Sequence, residues 1–564
     1  MLEMTNKQRG KLELDWVDKG DIILTKFDEN GKTYPASYFQ GQVSDEELMP
    51  RELELVESVG DPKSENMLIW GENLIALRSL ENEFAGRIKL IYIDPPFNTG
   101  QDFEDYEDGL EHSIWLSMME NRLRLAEKLL SDEGFICIHI DENETAYLKS
   151  LANEIFGKDN HLTTFYIQVR YPTKTLKEDM IFHKLIEQIH IYRKSNKAIV
   201  QRVEEEYSFE RFNWYIQTDE PHETIVLGGK KVEMFKEGSY KIFKGQPSQD
   251  GLKEIWASGT ILDGTSSGRF FRDYLSKRNE IDEYKVLYKV YGIGDDKLDY
   301  RYFTGPKRKG AIRGKYYQGV PLEKTKKGAK SKAIVTNFYN FAANFGNCRH
   351  EGGVGLKSGK KPEILLREII SPFSKPSDHV LDFFAGSGTT GAVAHKMGRK
   401  WIMVEIREDM IKEKALKRMK NVIKGEQTGI SKEVGWKGGG GFKFDKLGEP
   451  LIVKHKDYSS IKIINPKYYN TALIKVICNL EGVKFRKDDK VFHGVNKLGN
   501  KYAHITEQYV SQGYIDFLKS KLADNEEMII YCFSYDEKIV LPFNMIIKKL
   551  PTDLGKAYQL RLGL

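Results

Sequence analysis

The sequence predicts an α/β fold, an open sheet whose strands end in ligand-binding loops. Three stretches carry that prediction. Ile88-Lys89-Leu90-Ile91-Tyr92-Ile93 is a short run of β-branched and aromatic residues, as a buried strand requires, and Asp94-Pro95-Pro96-Phe97 ends it. Far downstream, Val380-Leu381 leads into Asp382-Phe383-Phe384-Ala385-Gly386-Ser387-Gly388-Thr389-Thr390 and then the helical pattern Gly391 to Lys396. The next strand, Trp401-Ile402-Met403-Val404, ends in Glu405.

Each strand end has its own chemistry. Proline fixes its φ and has no N–H for a sheet ladder, so the chain leaves the sheet at Pro95. Asp94 therefore stands at the carboxyl edge, where open α/β sheets bind ligands. A carboxylate, free proline carbonyls and the flat face of Phe97 suit a planar group bearing an amine, such as a nucleobase. Glycines at 386 and 388 let the backbone turn sharply and approach a ligand that a Cβ would obstruct. Glu405 follows about 20 residues later, where a strand-end acid binds ribose hydroxyls.

Together these motifs resemble the amino-methyltransferases of DNA, which methylate exocyclic base nitrogens with S-adenosylmethionine. The catalytic stretch precedes the cofactor stretch, the permuted order of the family's β group. Lys361-Pro362-Glu363-Ile364-Leu365-Leu366 lies ahead of the glycine turn, and Ile430-Ser431-Lys432 and Gly438-Gly439-Gly440-Gly441-Phe442 lie behind it. With these segments and its length, the chain is most similar to the modification subunit of type III restriction-modification systems, over roughly residues 66–195 and 350–445. The resemblance implies a Rossmann-like, mixed-sheet, circularly permuted methyltransferase domain with an inserted target-recognition domain and a small C-terminal α+β domain. It implies catalysis by Asp94, Pro95, Pro96 and Phe97. The cofactor, S-adenosylmethionine, would be held by Asp382, Phe383, Phe384, Ala385, Gly386, Ser387, Gly388, Thr389, Thr390, Glu405 and Lys361. Adenine N6 in duplex DNA, reached by base flipping, is the implied target. Cytosine N4 is the alternative, although related cytosine enzymes more often carry serine in place of Asp94. A DNA-binding subunit with an inactive cofactor site is a further alternative, which intact Asp94, Gly386, Gly388 and Glu405 disfavour. The implied partners are double-stranded DNA, a second copy of the chain and a separate ATP-dependent restriction subunit. That last chain would supply the nucleotide site, since no Gly-x-x-x-x-Gly-Lys-Ser/Thr motif occurs here.

The chain should divide into a polar arm (1–60), a catalytic half-domain (61–195), an insertion (196–345), a cofactor half-domain (346–444) and a C-terminal assembly domain (445–564). Hydrophobic residues at 40% and charged residues at 30% describe a globular chain, and no apolar run approaches a membrane span. The start shows no basic-then-apolar signal pattern, so the cytoplasm is the expected compartment. Four cysteines, far apart, suggest reduced thiols without a metal site. Within the arm, Tyr34 to Gln42 reads as one strand. Asn98 to Glu111 reads as a loop over the site. Ile114, Trp115, Met118, Met119, Leu123, Ala126, Leu129 and Leu130 recur at helical spacing, one face against the sheet. Asp141 and Glu142 follow the strand Phe135 to Ile140, where acids commonly cap helices. On that strand His139 reads as a satisfied core histidine. Ile186 to Arg193 alternates loosely, as an edge strand would. Gly438 to Gly441 reads as a flexible joint.

The insertion differs in composition. From Lys307 to Lys332 there are ten Lys or Arg residues against one acid, Glu323, with Tyr300, Tyr302, Phe303, Tyr316 and Tyr317 alongside. Cationic side chains neutralise phosphates and release counterions, and aromatics stack on bases. Arg269, Arg301, Lys307, Arg308, Lys309, Arg313 and Lys315 are the expected DNA contacts. The polar loop from Ile255 to Arg269 is a second candidate approach.

Overall fold

The computed structural model describes residues 13–98, 110–173, 182–202, 204–258, 265–294, 296–326, 328–332, 335–356, 359–456, 458, 461–469 and 471–554. The expected loop from 99 to 109 and the polar segment 259–264 lie outside the described residues. The chain forms two compact units, one of Met1–Gln201 with Thr336–Leu564 and one of Arg202–Val335.

The larger unit is organised on a mixed sheet, ten-stranded among the described residues. In chain order its strands are β1 (Leu53–Gly60), β2 (Met67–Trp70), β3 (Ile88–Ile93), β4 (Leu130–Ile140), β5 (His161–Gln168), β6 (Ile186–Arg193), β7 (Phe338–Asn340), β8 (His379–Asp382), β9 (Lys400–Glu405) and β10 (Gly441–Leu447). Their spatial order is β7-β5-β6-β4-β3-β8-β9-β2-β10-β1. The strands from β4 through β10 in that order run parallel, while β6, β5 and β1 supply antiparallel neighbours. Five helices position the site: α1 (Asn73–Phe84), α2 (His112–Leu129), α3 (Glu363–Phe373), α4 (Thr389–Lys396) and α5 (Lys417–Ile423). On α2 the apolar stripe is buried as its spacing predicts, with Trp115, Met119, Leu123, Ala126 and Leu129 fully enclosed.

From β3 the chain proceeds through α2 to β4, on one side. From β8 it proceeds through α4 to β9, on the other. The crevice between β3 and β8 is therefore a topological switch point, where parallel sheets open to ligands. Both strands are buried through nearly their whole length, and Leu381 pairs with Ile91.

Several expectations are corrected. The arm forms a hairpin, Ile23–Phe27 with Thr33–Ser37, where one strand was expected. The turn is set by Asp28, whose Oδ1 accepts from the N–H groups of Asn30 and Lys32, and by Gly31 at φ 77°. Beyond it, β1 joins the main sheet, so the arm contributes core structure before residue 60. At the other boundary β10 crosses residue 444 and pairs with β2 and β1. The glycine segment is a close-packed crossing and no flexible joint. Gly440 O accepts from Asp61 N–H at 3.0 Å, and a Cβ on Gly441 would stand 2.3 Å from Asp61 N. The strand expected at an edge, β6, is interior because β5 and β7 extend the sheet past it. Residues 462–554 carry a five-stranded sheet flanked by the helices Thr471–Leu480 and Gln512–Lys519. All four cysteines are free and buried, and among the described residues no helix is long and apolar enough to cross a membrane.

The unit Arg202–Val335 holds an antiparallel six-stranded sheet. One face covers Val232, Phe271, Tyr288, Phe303 and Tyr316, and the other packs Tyr302 and Tyr317 against the antiparallel strand pair Trp214–Thr218 with Tyr240–Lys244.

Three helices around β8 are tied by ions. Glu363 on α3 is fully buried and meets Arg418 of α5 at 2.8 Å and Lys396 of α4 at 2.7 Å. Burial pushes the Glu363 carboxyl up, and the two cations outweigh it and hold it below its usual range. Removing the acid leaves the buried Arg418 without its carboxylate, while Lys396 keeps Glu426, and breaking such a buried pair costs about 3–5 kcal/mol. Glu363→Ala is accordingly expected to lower the urea unfolding midpoint sharply; an unchanged midpoint would show that the cluster is not stabilising.

Candidate active site

Asp94 ends β3 in the switch-point crevice. Its Oδ2 lies 3.1 Å from Lys361 Nζ, while its Oδ1 is enclosed by protein and accepts no hydrogen bond. The Pro-Pro turn is fixed from outside, because Trp115 Nε1 donates to the Pro96 carbonyl at 2.9 Å. Asn98 follows at φ 58° and is held through Nδ2 to Glu144 at 2.5 Å. The Phe97 ring is flanked by the Lys361 ammonium, 4.7 Å from its centroid, and by the His139 ring at 5.9 Å.

The cofactor-type turn is built from β8 and β9. Asp382 Oδ2 accepts from Thr390 Oγ1 at 2.6 Å and Oδ1 accepts from Phe384 N–H at 2.9 Å, so the acid pins both ends of the turn. Gly386 at φ 49° and Gly388 at φ 76° occupy the left-handed region, which side chains disfavour. Glu405 accepts from Gly386 N–H at 2.8 Å and from Arg407 N–H at 3.0 Å. Asn73 at the start of α1 donates to Phe383 O at 2.8 Å and so locks the turn to the opposite wall.

These two constellations share one pocket of about 560 Å³, lined by Asp94 to Phe97, by Asp382 to Ser387 and by Glu405. An S-adenosyl group fits the residues present. At the pocket wall Gly386 carries no side chain to obstruct it. Glu405 offers carboxylate oxygens to hydroxyl donors, and Phe384, Ile406 and Met410 supply apolar walls.

Lys361, expected with the cofactor residues, lies on the Asp94 carboxylate and 3.5 Å from Glu187 Oε2. Its backbone leads into α3 through Pro362, which points the side chain back over the end of β3. Glu187 and His139 were not anticipated as site residues. His139 stands on β4, next to β3, and Glu187 on β6, one strand further out; a polar residue inside the buried run of β4 was the signal for His139. Asp141 closes a local turn by accepting from Asn143 N–H and lines the pocket. It does not cap the helix Thr145–Ala152, whose N-terminal flank is Glu144. The hairpin of the arm also reaches the pocket, through Thr25, Thr33, Tyr34 and Pro35.

Taken by itself, the unit Arg202–Val335 sorts the expected DNA contacts. Arg269, Lys307, Arg308, Lys309 and Arg313 are exposed, and Lys315 is paired with Glu254 at 2.5 Å. Arg301 is excluded as a base reader: it is 3% exposed and ion-paired with Asp296 at 3.3 Å. Tyr302, Phe303, Tyr316 and Tyr317 are core residues and have no free face for a base. Both faces of their strands are covered, which aromatic content alone does not reveal. Trp256 is 66% exposed, with Lys315 Nζ 4.6 Å from its ring.

Burial raises the Asp382 carboxyl to about 7. A carboxyl raised in the folded state contributes stability that is complete below its unfolded value near 3.8 and is lost as pH rises through about 7. Asp382→Asn is therefore expected to lose less of its thermal midpoint than the parent between about pH 5 and about pH 8. A midpoint difference constant across that range would refute the burial of a titrating acid.

The sequence profile of the DNA methylase family matches residues 88–417. The chain is 33% identical over 453 residues to the "Probable type III restriction-modification enzyme HindVI Mod subunit" of Haemophilus influenzae, covering 72% of this chain and 58% of that protein. It is 29% identical over 360 residues to the StyLTI Mod subunit of Salmonella typhimurium, covering 58% and 49% respectively. To the EcoPI Mod subunit of Escherichia phage P1 it is 28% identical over 381 residues, covering 59% and 55%. It thus spans about half the length of these curated relatives. With a profile match over more than half its residues, on the sheet that carries both strand-end motifs, the chain belongs to the DNA methylase family.

Proposed function

We propose that the chain transfers a methyl group from S-adenosylmethionine to the N6 amine of adenine in duplex DNA. The observation that carries this reading is the shared pocket, in which Asp94, Pro95 and Phe97 line the same cavity as the glycine turn and Glu405. When bound, S-adenosylmethionine supplies an electrophilic methyl group.

The adenine amine is a poor nucleophile because its lone pair is delocalised into the ring. Asp94 and the Pro95 carbonyl accept its two hydrogens, drawing the nitrogen toward sp³ geometry and aiming its lone pair across the pocket. Trp115 already occupies the Pro96 carbonyl, which keeps the turn rigid while Pro95 serves the substrate. Phe97 stacks on the flipped base; at about 1–3 kcal/mol a stack roughly offsets the few kcal/mol of unstacking. The proton leaves during or after transfer, so no strong base is required. Phe383 to Thr390 and Glu405 hold the cofactor.

The names of the relatives support a role as the modification subunit of a restriction-modification system. In that setting a second copy and a separate ATP-dependent restriction subunit are its partners, in the cytoplasm. Residues 196–345 act as the target-recognition domain, and 445–564 serve assembly.

Sequencing the DNA of a host that expresses the chain, with detection of modified bases, tests the reading directly and identifies the site. On that site Asp94→Ala is expected to lower single-turnover methyl transfer about a hundred- to thousandfold while cofactor binding persists. Full activity in that variant would end the proposed mechanism.

The exposed cations of the insertion should separate by role. Alanine at Lys307, Arg308 or Lys309 is expected to weaken binding to all sequences and lower the salt slope by about one each. Alanine at Arg269 or Arg313 is expected to relax choice at one base position by about 1–3 kcal/mol. Unchanged affinity, salt slope and site choice throughout would place recognition outside this unit.

A further inference from the structure

The two groups assigned above to the target base are both engaged by one side chain. Lys361 Nζ lies 3.1 Å from Asp94 Oδ2 and 4.7 Å from the centre of the Phe97 ring. An ammonium there offers N–H donors to the carboxylate and a positive charge to the ring face, as the edge and plane of an aminated base would. A base stacked on Phe97 with its amine on Asp94 needs the same space.

A second acid stands ready to receive the ammonium. Glu187 Oε2 is 3.5 Å from Lys361 Nζ and 2.8 Å from His139 Nε2. Burial pushes the Glu187 carboxyl up, but the Lys361 ammonium and the His139 imidazole outweigh it and hold the group well below the ordinary carboxylate range. His139 is held in turn by the Tyr92 hydroxyl at 2.8 Å from Nδ1. The acid is thus fixed from behind by a buried chain, Tyr92-His139-Glu187, and keeps its charge. A lysine stem reaches from one acid to the other by rotation about its own bonds, with no backbone movement.

We propose that Lys361 holds the place of the target amine while the pocket is empty of base, and that Glu187 takes the ammonium over when the base enters. This rests on the function proposed above and adds to it a residue that sets how readily the base is admitted. Lys361 is then neither a cofactor ligand nor a catalytic residue but a gate residue, and Glu187 is its positioning partner. The exchange has a physical use: Asp94 and Phe97 are never left bare, and an ordinary base, not flipped fully, does not displace the ammonium.

The test uses the full chain saturated with S-adenosylhomocysteine and titrated with 9-methyladenine, a base without sugar or phosphate, followed by ligand NMR. Lys361→Met removes the competing ammonium at similar side-chain length and is expected to bind the base about fivefold tighter. Glu187→Gln removes the receiving charge and is expected to bind it more weakly than the parent. In the double variant the Glu187 effect should vanish, since no ammonium remains to be received. Opposite signs in the two single variants distinguish a gate from a structural strut, for which both would weaken binding. Weaker base binding in Lys361→Met, or a weaker affinity of that variant for S-adenosylhomocysteine, would overturn the proposal, the latter returning Lys361 to the cofactor. The host-DNA methylation assay is read separately: a parent chain that methylates no DNA ends the proposed function, whatever the base titration shows.

Discussion

Everything at the active site depends on two parallel strands lying side by side. β3 and β8 are far apart in the chain, yet Leu381 pairs with Ile91 and Val380 with Leu90, so both strands release their chains at one edge. The chain then turns away from the shared crevice in opposite directions, which leaves it open. Two acids, Asp94 and Asp382, are thereby brought to the same rim. No covalent continuity between the strands is needed for this. A catalytic segment that comes first in the sequence works as well as one that comes second, because the sheet restores adjacency. The cost falls on the acids: Asp382 is desolvated, and the neighbouring charges of Asp94 and Glu405 push its carboxyl further up.

Three of the buried-charge clusters among the described residues of the unit containing the sheet differ in an informative way. Glu363 with Arg418 and Lys396 is closed on all sides and joins α3, α4 and α5. Arg122, fully buried on α2, pairs with Glu72 and donates to Asn73 Oδ1. Both clusters use hydrogen bonds to fix backbone. The third, Asp94 with Lys361 and Glu187, faces a cavity and has two acids for one ammonium. A buried ion pair is weak evidence for stability because desolvation consumes most of the attraction. An ion pair at the wall of a pocket is better understood as a state that a ligand can exchange with.

What was legible in the sequence was local. Asp94, Asp382 and Glu405 each follow an apolar run, and the first two run into prolines or glycines, so strand, edge and acid could be read from a few consecutive residues. The α2 face was equally plain because its apolar positions repeat within one helix. Partners drawn from separate segments were not legible. Nothing next to Lys361 in sequence indicates Asp94 or Glu187, and the motif order placed it with the cofactor instead. Arg301 shows the same limit from the other side. It sits in a run of cations and tyrosines that suggests a nucleic-acid surface, but the strand period turns it inward onto Asp296. Composition separates a basic loop from a buried strand only after pairing is known, and here Lys307 to Lys309 were the loop.

The arm illustrates how such distant pieces become one wall. α2 acts as a beam with one contact near its start and another at its middle. Near its start Trp115 holds the Pro96 carbonyl and with it the turn that presents Asp94 and Phe97. Two turns on, Arg122 donates to Ile23 O at 3.1 Å, and Asn121 brackets the same hairpin by accepting from Ile23 N–H and donating to Asp21 O. That hairpin brings Thr25, Thr33, Tyr34 and Pro35 to the pocket beside Glu72 and Asn73. Asn73 in turn donates to the Phe383 carbonyl of the glycine turn. A single rigid helix therefore fixes the Asp94 end and the glycine-turn end of the cavity in one frame. In-line transfer between two bound molecules requires that, since a misplacement of about 1 Å in the reacting atoms can cost a hundredfold in rate.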